Sequence, residues 1–271
     1  MRILFLGDIV GRSGRDIIER ELKSLRASLK LDFVVANAEN AAAGFGMTGK
    51  ICDQLFDAGV DVISGGNHSF DQKEIMGVID REPRILRPVN YPPATPGRGA
   101  QVYTASRGRK IAVINVMGQV FMNPLDNPFH AVDACLKKYR LGQTVDAVLV
   151  DMHGEATSEK MAMGHFCDGR ASVVVGSHSH VPTGDTQILD GGTAYQTDAG
   201  MCGDYNSVIG NEKDEPLRRF LTKMNSKRYE PAKGPGTLCG VFVETDDKSG
   251  LALRSEPVRI GARLIEARPA L

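Results

Sequence analysis

The sequence predicts an α/β protein in which two β-sheets pack as a sandwich flanked by helices, in one domain over residues 1–271. Three observations predict it. Short apolar runs alternate with amphipathic stretches through the first two thirds of the chain, as strands and helices do around a partly parallel sheet. After Asp185 the apolar runs lengthen and become more polar, which suits a second packed sheet. A chain of 271 residues with 42% hydrophobic and 24% charged content is long and apolar enough to bury a full core.

Each element has a local reason. Residues 3–7 read as a buried strand. Ser13 and Asp16 have capping-box spacing, and Ile17, Ile18, Leu22, Leu25 and Leu29 then recur at helical spacing. Residues 33–36 form the next strand. Thr48 suits the N-cap of a helix carrying Ile51, Leu55 and Phe56, with Gly59 closing it. A third strand spans 60–64. Asp71 and Glu74 read as a second capping box, opening a helix through Ile75, Val78 and Ile79.

The Pro- and Gly-dense stretch 88–99 is predicted loop. A strand over 111–117 is followed by a long irregular segment, QVFMNPLDNPFH. Strands over 147–151 and 172–176 enclose a helix over 158–167. The last third holds strands over 186–189, 193–197, 238–244 and 251–260, a hairpin turn at Asp190-Gly191, and a helix over 215–224. These C-terminal strands are expected to supply the second sheet.

Composition narrows the function classes. Lys+Arg and Asp+Glu are both 33, so the formal net charge is zero and no global basic field attracts nucleic acid. A local patch at Arg107, Arg109 and Lys110 is the one basic cluster to note. The opening MRILFLGD is too short for a signal peptide, and no apolar stretch suits a membrane span. The five cysteines, Cys52, Cys135, Cys167, Cys202 and Cys239, are scattered without C-x-x-C and read as reduced packing residues of a cytoplasmic protein.

The chemistry lies at the ends of the strands. They run into Asp8; Asn37-Ala38-Glu39-Asn40; Gly65-Gly66-Asn67-His68; Asp151-Met152-His153; and Ser177-His178-Ser179-His180. Ligands of open α/β sheets bind outside the carboxyl ends of the strands. Four of the six histidines stand at these ends, and His178 and His180, two apart, would share a face in extended chain. His130 and His165 lie outside the pattern and read as ordinary. The glycines at 7, 11 and 14 match neither the dinucleotide fingerprint nor a P-loop, so they mainly let the chain turn away from Asp8. Arg12 stays open as a phosphate contact or a solvated side chain.

Taken together, Gly7-Asp8, Asn-Ala-Glu-Asn, Gly-Asn-His, His153 and Gly-Ser-His-Ser-His resemble the calcineurin-like metallophosphoesterases. Their usual pattern is Asp-x-His, Gly-Asp-x-x-Asp, Gly-Asn-His-Asp/Glu, His and Gly-His-x-His. Here Val10 replaces the first His, Glu39 followed by Asn40 replaces the bridging Asp, and the last pair is spaced as Gly176-Ser177-His178. With DNPF at 126–129, DGR at 168–170, GTAYQTDAGM at 192–201 and SVIG at 207–210, these departures resemble the YmdB-type branch, phosphodiesterases of 2′,3′-cyclic nucleotides.

The resemblance implies a four-layer αββα fold, a homo-oligomer and two metal ions, iron foremost with manganese or zinc as alternatives. It implies Glu39 as the bridging carboxylate. Asp8 and His180 would complete one ion, and Asn40, Asn67, His153 and His178 the other. It also implies attack on phosphorus by a hydroxide bridging the ions, with His68, beside Asn67, as general acid to the leaving oxygen. Tyr91, Phe121 and Phe129 are candidates to stack on a base, and Met47 with the turn at 44–46 to wall the pocket. A phosphomonoesterase or nuclease with the same metals, and a nucleotide- or RNA-binding regulator with weak hydrolysis, stand as alternatives.

Overall fold

The structure, a computed structural model, describes residues 1–270. Its strands are β1 (Arg2–Leu6), β2 (Asp8–Ile9), β3 (Phe33–Asn37), β4 (Val62–Ser64), β5 (Ala100–Thr104), β6 (Lys110–Met117), β7 (Ala147–His153), β8 (Val173–Ser177), β9 (Gln187–Ile188), β10 (Ala194–Gln196), β11 (Met201–Cys202), β12 (Thr237–Thr245) and β13 (Ala252–Gly261). Its helices are α1 (Gly11–Ser28), α2 (Gly49–Ala58), α3 (Pro128–Lys138), α4 (Thr157–Cys167) and α5 (Asp214–Thr222).

Two mixed sheets carry the architecture. One has the order β13-β12-β1-β3-β4 and the other β5-β6-β7-β8-β10-β9. Strands β1, β3 and β4 run parallel, as do β6, β7, β8 and β10, while β12–β13, β5 and β9 add antiparallel pairs. The period-two alternation of each strand builds the layers. Ile3 and Phe5 of β1 face Val113, Leu149 and Val173 of the other sheet, while Leu4 and Leu6 face Ile17, Ile18 and Leu22 of α1. On the far side Ile114, Val148 and Val174 meet Val132 of α3 and Met163 of α4. The result is the expected four-layer αββα sandwich.

The C-terminal strands do not make a sheet of their own. β12 inserts beside β1 with Leu4 opposite Phe242, and β10 joins β8 in the other sheet. Pairing across more than 200 residues leaves no local sequence signal, so the expectation of a separate C-terminal sheet fails. Both predicted capping boxes fail as well. Ser13 Oγ donates to the Gly234 carbonyl at 2.8 Å, and α1 starts after Val10 without a side-chain cap. Asp71 accepts from His68 Nδ1 instead, and only a short 3-10 turn follows at Lys73–Gly77. The Thr48 cap of α2 and its Gly59 terminus form as expected.

The segment predicted irregular, residues 119–130, ends in the first turn of α3, whose remainder carried no expectation. Asn127 Oδ1 accepts from the N–H groups of Phe129 and His130, and Pro128 opens the helix. That cap was readable in DNPF. Phe129 packs edge-on against Phe166, 5.5 Å between ring centres, and joins the outer core. Tyr91 does the same against Phe70, and Met47 is fully buried in the core under α1 and α2. Met47 has no exposed surface with which to wall an open pocket, Tyr91 and Phe129 keep part of theirs, and Phe121 is 88% exposed.

The loop between β10 and β11 crosses the ends of both sheets and admits no side chain beneath it. A Cβ on Gly7 would lie 1.8 Å from the Gly200 carbonyl oxygen, and one on Gly176 would lie 1.7 Å from that of Thr197. We expect Gly7→Ala and Gly176→Ala each to destabilise the fold by about 3 kcal/mol, near the upper end for overpacking. Thermal unfolding checks this, and an unchanged Tm in both variants would contradict the packing.

Candidate metal centre

The carboxyl ends of β1, β3, β4, β7 and β8 converge, and their terminal side chains meet. Glu39, His153 and His178 each offer a ligand atom, all within 4.8 Å of one another. His153 Nε2 lies 3.1 Å from Glu39 Oε1, 3.0 Å from Asn67 Oδ1 and 3.2 Å from His178 Nδ1. Four donors from four different strand ends therefore face one point. Gly66 makes this approach feasible, since a Cβ there would come within 2.3 Å of the His153 ring and 2.5 Å of Glu39 Oε2.

Further donors adjoin this cluster, and Asp8 Oδ1 lies 4.0 Å from His153 Nδ1. His180 Nε2 is 3.9 Å from Asp8 Oδ1, and the Asn40 amide nitrogen is 3.3 Å from His180 Nε2 and 3.4 Å from Glu39 Oε1. Asn40 thus lies near His180 as well as near the Glu39 oxygen that faces His153. Val10, where the Asp-x-His pattern places a ligand, is buried and packs against Gly203 and Gly210. His130 and His165 are exposed on α3 and α4, far in the chain from any strand end.

Burial and charge explain the protonation of the cluster. Burial opposes ionisation of Glu39, yet His153 and the His68 N–H outweigh it and hold the carboxyl at about 2. Burial likewise opposes a charged His153, but Glu39, Asp8 and Asp151 raise it to about 9. Burial and the neighbouring His153 push His178 down to about 3, leaving it neutral. Burial pushes the Asp8 carboxyl up.

The donors fit metal ions. Asp8 is fully buried; its Oδ2 accepts from the His178 N–H at 3.0 Å, while Oδ1 has no hydrogen-bond partner. A buried carboxylate oxygen left unpaired is costly unless a cation completes it. Carboxylate, amide and imidazole donors without thiolate suit iron, manganese or zinc.

Residues behind the donors hold them in place. Ser177 Oγ meets His153 Nδ1 at 2.9 Å and donates to Asp151 Oδ1 at 2.7 Å. Asp151 also accepts from Ser64, Asn37 and Asn115, and burial raises it to about 6. Lys160, 1% exposed on α4, pairs with Asp198 at 2.7 Å, and Asp198 accepts from both the N–H and the hydroxyl of Ser179. Sequence reasoning missed Lys160 and Asp198, because a lysine on a helix reads as a solvated side chain.

That clamp explains the His-Ser-His segment. His178 and His180 have φ of 95° and 65°, so the segment is not extended and its imidazoles do not share a face. Each turns to a different donor set. Left-handed non-glycine residues cost about 1–3 kcal/mol each and persist only where the surroundings hold them.

His68 lies beside the donors without joining them. Its N–H donates to Glu39 Oε2 at 2.8 Å, its Nδ1 lies 2.8 Å from Asp71 Oδ2, and Phe45 meets its ring edge-on at 5.0 Å. Ser69 occupies the position where the Gly-Asn-His-Asp/Glu pattern has a carboxylate, and Asp71 supplies one two residues later.

The sequence model of the YmdB-like protein family matches residues 4–258. The chain is 43% identical over 260 residues to a Bacillus subtilis (strain 168) protein named 2′,3′-cyclic-nucleotide 2′-phosphodiesterase, covering 96% of this chain and 97% of that one. Among solved structures, a hypothetical protein from Thermus thermophilus superposes with a TM-score of 0.90 at 41% identity, covering 97% of this chain and 100% of the other. A Mycoplasma pneumoniae structure described as a novel phosphatase gives 0.89 at 34% identity, with 99% and 95% coverage. The chain belongs to the YmdB-like family.

Proposed function

We propose that this protein is a metal-dependent phosphodiesterase of small phosphodiesters such as 2′,3′-cyclic nucleotides. The observation that carries the reading is the cluster of Glu39, His153 and His178, with the Asp8 oxygen left unpaired 4.0 Å from His153 and 3.9 Å from His180. The activity named for the Bacillus subtilis relative supports the substrate class. Asp8, Asn40 and His180 would hold one ion, Asn67, His153 and His178 the other, and Glu39 both. Ions bound there would offset the charge of a phosphodiester and lower the pKa of water toward neutrality. Iron is the favoured metal by family resemblance.

The chain's own residues do the rest. Asp71 occupies His68 Nδ1 and leaves Nε2 as the nitrogen that carries a proton toward the leaving ribose oxygen. Phe45 limits rotation of that ring. Ser177 and Asp151 fix the orientation of His153, so Nε2 faces the donors. The buried core shared by the two sheets supports reading residues 1–271 as one domain. The free cysteines support a cytoplasmic location, and among the described residues no helix is long and apolar enough to cross a membrane.

Phosphomonoester hydrolysis is the second reading, favoured by the description of the Mycoplasma pneumoniae structure as a phosphatase. RNA binding has less support, since Arg109 of the basic patch is paired with Asp32 and Asp247.

Two outcomes are expected. Metal-loaded protein hydrolyses 2′,3′-cyclic AMP faster than p-nitrophenyl phosphate, Glu39→Gln abolishes turnover, and His68→Ala lowers kcat by about 10²–10⁴-fold with metal content retained. Faster turnover of the monoester would move the function to phosphatase. Metal loading also displaces a proton. His153 is raised from 6.5 to about 9, so its pairing with the carboxylates stabilises the metal-free protein below 6.5 and is lost as pH rises through about 9. The apparent manganese affinity should therefore rise about tenfold per pH unit between about pH 6 and about pH 8. Calorimetry in buffers of different ionisation heat reads the released proton, and a pH-independent affinity would count against these ligands.

A further inference from the structure

A cavity of about 800 Å³ opens at the start of α1, and none of the candidate metal ligands lines it. Its wall carries Arg12, Arg15, Arg20 and Lys233, against Asp16 as the one carboxylate lining it among the described residues. Arg20 is partly neutralised by Glu21 at 2.9 Å. Arg15 gives a terminal nitrogen to the Ala41 carbonyl, but its Nε is buried without a hydrogen-bond partner. Arg12 and Lys233 are exposed, and Lys233 stands 3.9 Å from Glu230.

The backbone adds to this positive field. Helix α1 has 18 residues, no side-chain cap and no acid in its first turn. Its first N–H groups lack intrahelical acceptors, and the helix dipole places positive potential at that end. The segment 231–236 forms the facing wall, held by Ser13 Oγ on the Gly234 carbonyl. Pro231 and Pro235 make part of the lining apolar. Cationic groups in a partly apolar cleft of this size suit a small organic anion, not a bare ion.

We propose that this cavity is a second binding site, outside the metal centre, for a nucleotide bearing a phosphate. The phosphate meets Arg12, Lys233 and the start of α1, and the nucleoside lies along Pro231 and Pro235. The Gly11 N–H donates to the Asn40 carbonyl at 2.9 Å, and Arg15 bonds Ala41, so the site borders the loop that carries Glu39 and Asn40. The proposal does not rest on the hydrolytic reading.

The test is calorimetric binding of adenosine 5′-monophosphate to the metal-loaded protein, repeated after the metals are removed with a chelator. The expected result is a binding event that survives metal removal and is weakened at least about tenfold by Arg12→Ala combined with Lys233→Ala, the loss expected for charge-assisted contacts. Adenosine should not compete. Lys233→Gln alone gives a smaller loss in the same direction, and an unchanged Tm shows that the variants fold. Binding that disappears with the metals, that ignores the double substitution, or that adenosine matches would each overturn the proposal.

Discussion

Two carboxylates and an imidazole, Asp8, Glu39 and His153, are wholly removed from water where the ends of the two sheets meet. Ionised groups at such a place are tolerable only when each faces an opposite charge or a hydrogen-bond donor. Much of the surrounding structure answers that requirement. His153 balances Glu39, the His178 N–H serves one oxygen of Asp8, and the remaining oxygen is left for a cation. Behind them Asp151 gathers Ser64, Ser177, Asn37 and Asn115, all buried, into one hydrogen-bonded cluster.

The same constraint explains the loop that crosses the sheet ends. Thr197 and Gly200 lie so close over Gly176 and Gly7 that only glycine fits beneath them. This brings Asp198 to Lys160 and Ser179, and it holds His178 and His180 in left-handed conformations that the segment would not adopt unaided. A buried ion pair on the far side of the sheet thereby positions two candidate ligands. The arrangement trades intrinsic backbone preference for the direction of two imidazoles.

Much of the fold was legible because its layers rest on local periodicity. β1 sends Ile3 and Phe5 one way and Leu4 and Leu6 the other, and β6, β7 and β8 alternate likewise. Elements in which a competing contact takes the capping side chain were not legible. Ser13 and Asp71 had capping-box spacing, but each found a stronger partner elsewhere, in the Gly234 carbonyl and in His68. The helix α3 was overlooked although Asn127 and Pro128 mark its start.

By itself the sequence determined which side chains stand at the strand ends, and so the chemical identity of the donor set. A residue that ends a parallel strand must emerge at the carboxyl edge of the sheet, whatever the rest of the chain does. Only the tertiary structure decided how those donors are grouped. It turned His178 and His180 apart, brought Asn40 within 3.3 Å of His180, and put β12 beside β1. Each of these depends on contacts between residues distant in the chain or on backbone angles those contacts enforce, and neither leaves a periodic trace in the sequence.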